Sequence, residues 1–338
     1  MNKASKYVVL ISIIGSLLMG MLIAGCSSSE VNQNAVTKTE NSEKTGDSKR
    51  IKIRYAAFQG MTGLGFWFGK EKGFYDEAGL DLEMVDVQDK VAAFVAHEID
   101  FADMNTTQAI VAASKGAPFK IVASMFRTKG AFYLIGNPSI NKIEDLKGKR
   151  VGVNQFGTGM DVYARVILKK HGIDPEKDVT LIANGSHQQA YASLESGQVD
   201  ATIIHQPFVV LAEASGVGKL LARGWDYLPT FHTGVLVASD DLIQNHPDIV
   251  KKLIETYFKV NEYAKSNPDE LLEFGIKYMK IDRDILKKAL ESEMDIWENK
   301  PELDLKALDD TQDIQIDLGF QDEKYDLDKI IDTRFLPK

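Results

Sequence analysis

From Ile51 onward, short apolar runs alternate with longer segments in which apolar residues recur every three or four positions. The short runs predict strands at 51–57, 82–87, 101–103, 120–125, 132–136, 150–154, 180–183, 201–204 and 234–238. Between them the spacing predicts helices, for example at 65–71, 107–115, 161–171, 187–196 and 207–214. Strands and helices in alternation make an α/β fold. After Pro247 the pattern is almost wholly helical. Ile249, Val250, Leu253, Ile254, Tyr257, Phe258 and Val260 form one stripe over 248–265, and Pro268 stands at a first-turn position. Two more helices are expected at 282–293 and 305–318.

The pattern also repeats. Glu98-Ile99-Asp100-Phe101-Ala102 is matched by Gln198-Val199-Asp200-Ala201-Thr202. Each is followed at the same interval by a glycine, Gly116 or Gly216. Upstream, Ala78-Gly79-Leu80-Asp81 echoes His171-Gly172-Ile173-Asp174. Three matches in the same order predict two lobes of similar build.

The first fifty residues read differently. Lys3 and Lys6 precede an apolar run over 7–23, broken only by Ser12, Gly15, Ser16 and Gly20. Ile23-Ala24-Gly25-Cys26 then resembles the lipobox of bacterial lipoproteins, with Cys26 as the residue that receives the lipid. Cys26 is the single cysteine of the chain, at the one position where that chemistry needs a thiol. Residues 1–25 are thus expected as a lipoprotein signal peptide, and 26–50, rich in Ser, Asn, Thr, Lys and Glu, as a flexible lipid-anchored tether. That places the protein at the cell membrane, lipid-anchored (diacylglycerol, palmitate) on the extracytoplasmic face.

Composition narrows the function classes. The chain has 338 residues, enough for about two domains, and a formal net charge of −9. Loss of Lys3 and Lys6 with the leader takes that charge from −9 to −11. Such a balance argues against nucleic acid, whose binders neutralise phosphates with Lys and Arg. One cysteine excludes an internal disulfide and Cys-based metal or iron–sulfur sites. Gly63-Leu64-Gly65 and Gly157-Thr158-Gly159 lack the third glycine of a dinucleotide loop, having Phe68 and Val162 there. Neither a phosphate-binding Gly-Lys-Ser/Thr loop, nor His-Glu-x-x-His, nor a Gly-x-Ser-x-Gly elbow occurs, and the six histidines are scattered. A tethered two-lobe α/β chain of this kind reads as a binder without cofactor.

Longer stretches carry a family resemblance. Lys70-Glu71-Lys72-Gly73-Phe74-Tyr75 precedes Ala78-Gly79-Leu80, and Glu98-Ile99-Asp100-Phe101 follows. Then come Ile143-Glu144-Asp145-Leu146-Lys147-Gly148-Lys149-Arg150-Val151-Gly152-Val153 and Gly197-Gln198-Val199-Asp200-Ala201. From Ile51 into the C-terminal helices the chain resembles substrate-binding proteins of ABC importers for sulfonates, taurine and nitrate, with relatives that bind thiamine-pyrimidine precursors. The resemblance implies a two-lobe, type II-like periplasmic-binding-protein clamshell with two crossing segments and a helical C-terminus. Lobe one is expected at 51–131 plus 234–338 and lobe two at 132–233, with 132–136 and 233–238 as crossings. It implies a monomer that captures a small-molecule solute and hands it to an ABC permease and its ATPase.

Candidate contacts lie where strands end and helices begin. Gln59 and Thr62 flank glycines before a helix, where free N–H groups suit an anion. Asp103, Asn105 and Thr106 end the strand after the repeat motif, with Asn105 or Thr106 able to cap the next helix. Phe156, Gly157, Thr158 and Gly159 form the loop after the first lobe-two strand, which in the family supplies backbone and hydroxyl donors; Phe156 either stacks on a ligand ring or packs under the loop. Ser186 and His187 open a further helix. Gln206 stands where relatives often carry a Glu before proline, which removes a negative charge from the cleft and favours a neutral or anionic ligand. Arg127 and Lys129 flank the first crossing, as head-group partners or as solvated charges. Trp67, Phe126, Tyr163, Trp225 and Phe231 are expected in the core. The ligand class stays open between small organic anions and a heteroaromatic vitamin precursor. A membrane sensor and a pyrimidine-synthase-type enzyme are the other readings, the latter lacking its cysteine-rich motif here.

Overall fold

The computed structural model describes residues 51–126, 129–298 and 300–337; Cys26, the leader and Arg127 lie outside them. β1 (Lys52–Ala56) leads into α1 (Gly60–Glu71), α2 (Phe74–Glu77), β2 (Asp81–Met84), α3 (Lys90–Val95), β3 (Phe101–Asn105), α4 (Thr106–Ser114) and β4 (Phe119–Phe126). A second series follows: β5 (Tyr133–Gly136), β6 (Arg150–Val153), α5 (Gly159–Lys170), β7 (Thr180–Ala183), α6 (His187–Glu195), β8 (Ala201–Ile204), α7 (Phe208–Ser215) and β9 (Lys219–Arg223). The chain returns through β10 (Gly234–Ser239) and closes with α8 (Asp240–Asn245), α9 (Pro247–Ser266), α10 (Pro268–Met279), α11 (Arg283–Glu293), α12 (Leu305–Asp317) and α13 (Leu327–Ile330).

These elements build two sheets on one plan. Their orders are β2-β1-β3-β10-β4 and β7-β6-β8-β5-β9. In each, the first three strands are parallel, and the fourth runs antiparallel to both neighbours. That fourth strand is β10 in one sheet and β5 in the other, so each is laid down after the chain has changed lobes. The segments expected as crossings at 132–136 and 233–238 are therefore largely the entering strands themselves; the chain changes lobes just ahead of them. β10 is buried along its whole length, as a central strand with both faces covered must be. β9 was not expected. It is an edge strand with partly exposed residues, and Lys-Leu-Leu-Ala-Arg gives no two-residue alternation. The short helices α2, α8 and α13 were also unforeseen, whereas α3 stands where the repeated unit calls for a helix between its second strand and Asp100.

The repeat seen in the sequence has a structural cause. The Arg54 side chain donates to both Asp100 carboxylate oxygens and to the His97 carbonyl, while its backbone N–H donates to the same carboxylate. Arg150 does the same with Asp200 and the Gly197 carbonyl. Each clamp ties the start of a first strand to the turn before the third. Gly79 and Gly172 share a second device: both have positive φ, +75° and +71°, in the turn from helix to second strand.

Each sheet carries its own core. Ile53, Tyr55, Phe66, Phe101 and the α9 stripe Val250, Leu253, Ile254, Tyr257 and Val260 pack together in the first lobe. Val151, Val153, Val162, Tyr163, Ile167 and Phe231 do so in the second. The C-terminal helices touch both. Leu308 of α12 joins a first-lobe core, whereas Ile314 and Leu318 pack on the second. α10 and α11 build a further core with α1, against which Val210 of α7 packs. Among the described residues no helix is long and apolar enough to cross a membrane.

Candidate functional site

Between the sheets lies a cavity of about 240 Å³. The first lobe supplies Phe58, Gln59, Met61, Thr62 and Asn105, and the second Asn154, Thr158, Met160, Ser186, His187 and His205. Gly130, Ala131, Phe132 and Thr233 come from the crossings, and Glu293 and Trp297 from the end of α11 and beyond.

Four helices begin at this wall. Gln59, Asn105, Thr158 and Ser186 are the N-cap residues of α1, α4, α5 and α6. Ser186 closes a capping box with Gln189, but the other three make no side-chain cap bond. Their side chains are engaged elsewhere. The Gln59 amide oxygen accepts from the Tyr278 hydroxyl at 2.6 Å, Asn105 donates to Gln108 at 3.3 Å, and the Thr158 hydroxyl donates to the Gln155 carbonyl at 2.7 Å. First-turn N–H groups of an α-helix have no partner inside the helix, and its dipole places partial positive charge there. The Thr106 N–H of α4 is taken by the Thr233 carbonyl at 3.3 Å, and Asp161 in the first turn of α5 is paired with Arg165. The remaining first-turn donors of the three starts face a cavity with no Lys or Arg among its described lining residues.

The rest of the wall is aromatic and weakly polar. The His205 ring lies 4.6 Å from that of Phe132 and 4.4 Å from that of His187. Burial lowers His187 to about 4, and burial together with the neighbouring His187 lowers His205 further, so both rings are neutral at pH 7. His187 Nδ1 and Thr233 Oγ1 are enclosed without a hydrogen-bond partner, which leaves two polar atoms for a bound molecule. Glu293 is 3% exposed, and burial pushes its carboxyl up to about 8, against hydrogen bonds from Tyr133 and Trp297. The Tyr133 hydroxyl donates to it at 3.1 Å. Among the described residues no three His, Cys, Asp or Glu side chains are grouped to hold a metal ion.

Of the residues singled out in the sequence, Gln59, Thr62, Asn105, Thr158, Ser186 and His187 come together at the cavity. Asp103, Thr106 and Gln206 do not reach it. Asp103 is fully buried in the first lobe, accepting from the Tyr55 hydroxyl at 2.6 Å and the Phe58 N–H at 2.8 Å, so it positions the loop behind the wall. Thr106 is held 2.9 Å from the His232 Nδ1, and Gln206 bridges the Ser292 hydroxyl and the Val210 N–H. Phe156 points away and is 56% exposed. Gly157 allows a turn at φ +75° rather than a close approach, since nothing lies within 4 Å of where its Cβ would be. The close approach is at Gly159, where a Cβ would meet the Phe132 ring at 3.2 Å. Lys129 pairs with Glu298 at 3.6 Å. Tyr163 and Phe231 are fully buried, as core aromatics should be.

Phe132, His205, Glu293 and Trp297 were not foreseen as site residues. His205 alone left a trace, as the counterpart of Asn105 in the repeat.

Comparison with known proteins agrees with this architecture. A protein of Bacillus subtilis (strain 168), whose name assigns it to aliphatic sulfonates, is 25% identical over 304 residues, 87% of this chain and 90% of that protein. The riboflavin-binding protein RibY of Chloroflexus aurantiacus is 23% identical over 302 residues, 84% of each chain. The crystal structure of the periplasmic aliphatic sulphonate binding protein SsuA from Escherichia coli superposes with a TM-score of 0.69 at 17% identity, covering 85% of this chain and 94% of that one. The fold is thus the two-lobe clamshell of periplasmic binding proteins. Residues 62–271, most of the described chain, match the NMT1/THI5 like family, and the chain belongs to that family.

Proposed function

We propose that this protein is the solute-binding lipoprotein of an ABC importer, which captures a small organic anion between its lobes and delivers it to a membrane permease and its ATPase. The observation that carries this reading is the convergence of three helix starts without side-chain caps on a largely apolar, uncharged cavity. Their N–H groups suit oxyanion oxygens, while Met61, Phe132, Met160 and Trp297 suit an apolar body. The name of one relative, for aliphatic sulfonates, points to an anion of this kind, and that of another, for riboflavin, to a small solute of a different class. On this reading 51–131 plus 234–338 and 132–233 are the lobes, binding energy shifts an open–closed equilibrium, and the chain works as a monomer held by a lipid on Cys26. It turns nothing over.

A second reading has its own observation. The adjoining Phe132, His205 and His187 rings, inclined at 58° and 60° to one another, form with Trp297 an aromatic wall that would accept a flat, uncharged heteroaromatic ring. One experiment separates the two. Ligand-free protein is titrated calorimetrically with alkane- and arylsulfonates, taurine, nitrate, riboflavin and an aminopyrimidine, and each ligand is recovered and checked by chromatography. The expected result is tight binding of an anion, a melting shift of several degrees and an unchanged ligand. Binding of the uncharged rings alone favours the second reading. Consumption of any of them would sink both and make the chain an enzyme.

A further inference from the structure

The cavity continues outward. Phe58, Gln59, Asn105, Asn154 and Ser186 line both it and a second compartment of about 360 Å³. This outer compartment is polar, with Gln88, Gln108, Gln155 and Gln189 around it and Lys90 as the only Lys or Arg among the described lining residues of either chamber. Lys90 is the first residue of α3, as His187 is the first residue of α6, so equivalent places in the two lobes face the cleft.

The setting of Lys90 makes it a receptor for negative charge. Its ammonium lies 4.2 Å from the centre of the Phe58 ring and donates to the Asp103 carbonyl at 2.7 Å. An ammonium has three N–H donors, so two remain. Burial lowers Lys90 to about 8, opposed by the charges of Asp103 and Asp86. A cation short of water gains most from a new anionic partner. Asp86 and Asp89 also border the compartment, but both are exposed, and the Asp89 carboxylate caps α3 through the Ala92 N–H. The shared rim includes the N-caps of α1, α4 and α6, so those helix starts face the same place as Lys90.

Resting on the anion-capture reading above, we propose that the two compartments form one site for a two-part ligand. Its apolar body fills the inner chamber, its anionic group sits in the outer chamber against Lys90, and Lys90 sets the preference for anionic over neutral ligands. The ligand class is an organic anion with a sizeable apolar body, rather than a bare inorganic oxyanion.

The test uses the full chain in mild detergent and three probes: benzenesulfonate, its neutral isostere benzenesulfonamide, and methanesulfonate, which has the head group without the body. Wild type should bind benzenesulfonate most tightly of the three. Lys90→Met should weaken benzenesulfonate about tenfold, the loss of one charge-assisted hydrogen bond, and leave the sulfonamide unchanged. Lys90→Arg should restore the preference. Gln88→Glu, on an exposed residue of the outer wall, should weaken the sulfonates only, and it decides the matter if Lys90→Met does not fold. Unchanged benzenesulfonate affinity in folded Lys90→Met, or in Gln88→Glu, overturns the role of Lys90 while leaving anion capture standing. Equal affinity for methanesulfonate and benzenesulfonate overturns the two-part ligand. If wild type binds none of the sulfonates, the anion-capture reading itself has failed.

Discussion

The two lobes share a frame and differ in what they show the cleft. Arg54–Asp100 and Arg150–Asp200 make the same set of bonds at the same place in each sheet. The pairing of first and third strands is likewise equivalent, Tyr55 and Ala56 with Phe101 and Ala102, Val151 and Gly152 with Ala201 and Thr202. Counting from those clamps, Phe58 corresponds to Asn154 and Asn105 to His205, and all four line the cavity. Asp103 corresponds to Ile203, one a buried acid whose carboxylate accepts from the Tyr55 hydroxyl and the Phe58 N–H, the other a core aliphatic. The same backbone therefore offers the ligand a cationic, amide-rich side and an aromatic, histidine-lined side. A repeated scaffold gives a polarised site because the residues at and behind its strand ends differ between the lobes while the clamps are kept.

The comparison breaks most visibly at Asp103. Asp103→Ala removes the acceptor for Tyr55 and for the Phe58 N–H and leaves Lys90 without its nearest buried countercharge. We expect a loss of about 3–5 kcal/mol. Ile203→Val at the matching place should cost about 0.5–1.5 kcal/mol, the loss of one methyl group. Urea unfolding of both variants tests this, and equal losses would mean that Asp103 does not organise its lobe.

Glu293 is next. It reaches the Tyr133 of the second sheet from a helix that packs on α1 of the first lobe, so it spans the two regions compared. Its carboxyl is raised from 4.5 to about 8, which means that the native state holds a proton the unfolded chain has released. Its contribution to stability is full below pH 4.5 and is lost as pH rises toward 8, at up to about 1.4 kcal/mol per unit. Glu293→Gln stays neutral throughout and should be the more stable form at pH 8, by about 4 kcal/mol. Melting curves of both proteins from pH 5 to 8.5 should diverge with rising pH; parallel curves would contradict a protonated Glu293. Asp103 shifts in the same direction, but it is present in both proteins and cancels.

The frame was readable in the sequence because it rests on local, repeated chemistry. Asp100 and Asp200 stood out by their matching neighbours and their glycines, and the bonds to Arg54 and Arg150 explain why. Gln59, Asn105, Thr158 and Ser186 were readable as helix starts after strands, a relation carried within a few residues. Lys90, Phe132, Glu293 and Trp297 were not. Lys90 opens a six-residue helix too short for a periodic signal, and Glu293 is the last residue of a helix whose partner, Tyr133, lies 160 positions away. Asp103 and Gln206 were misassigned as contacts because position near a strand end does not say whether a side chain stops in the core or passes into the cleft.

The clamps should behave alike if the frame is truly shared. Arg54→Ala and Arg150→Ala each lose two-pronged contact with a carboxylate and one bond to a carbonyl, on side chains that are 38% and 45% exposed. Exposure limits each loss to about 1 kcal/mol. Equal effects within error, measured by urea unfolding at low and high salt, are the expected outcome. A loss confined to one lobe would show that the likeness is geometric only.

The smallest effect compares two threonines at the cavity, one from each lobe. Thr158 precedes α5, and its hydroxyl already donates to the Gln155 carbonyl, so it tightens its own loop. Thr62 sits in the first turn of α1, lines the same cavity, and its hydroxyl has no hydrogen bond among the described residues. Thr158→Ala should therefore cost about 0.5–1 kcal/mol of stability and change affinity little, because the ligand meets the α5 backbone rather than the hydroxyl. Thr62→Ala should leave the melting temperature in place and cost about 0.5–1.5 kcal/mol in binding, the worth of one hydroxyl donated to the anionic group where it meets the start of α1 at the rim shared by the two chambers. Unfolding and calorimetry on the two variants, with the tightest-binding sulfonate, give four numbers whose pattern is diagnostic. If affinity falls for Thr158→Ala and not for Thr62→Ala, the ligand rests on the second lobe's loop and the polarity assigned to the cleft is reversed.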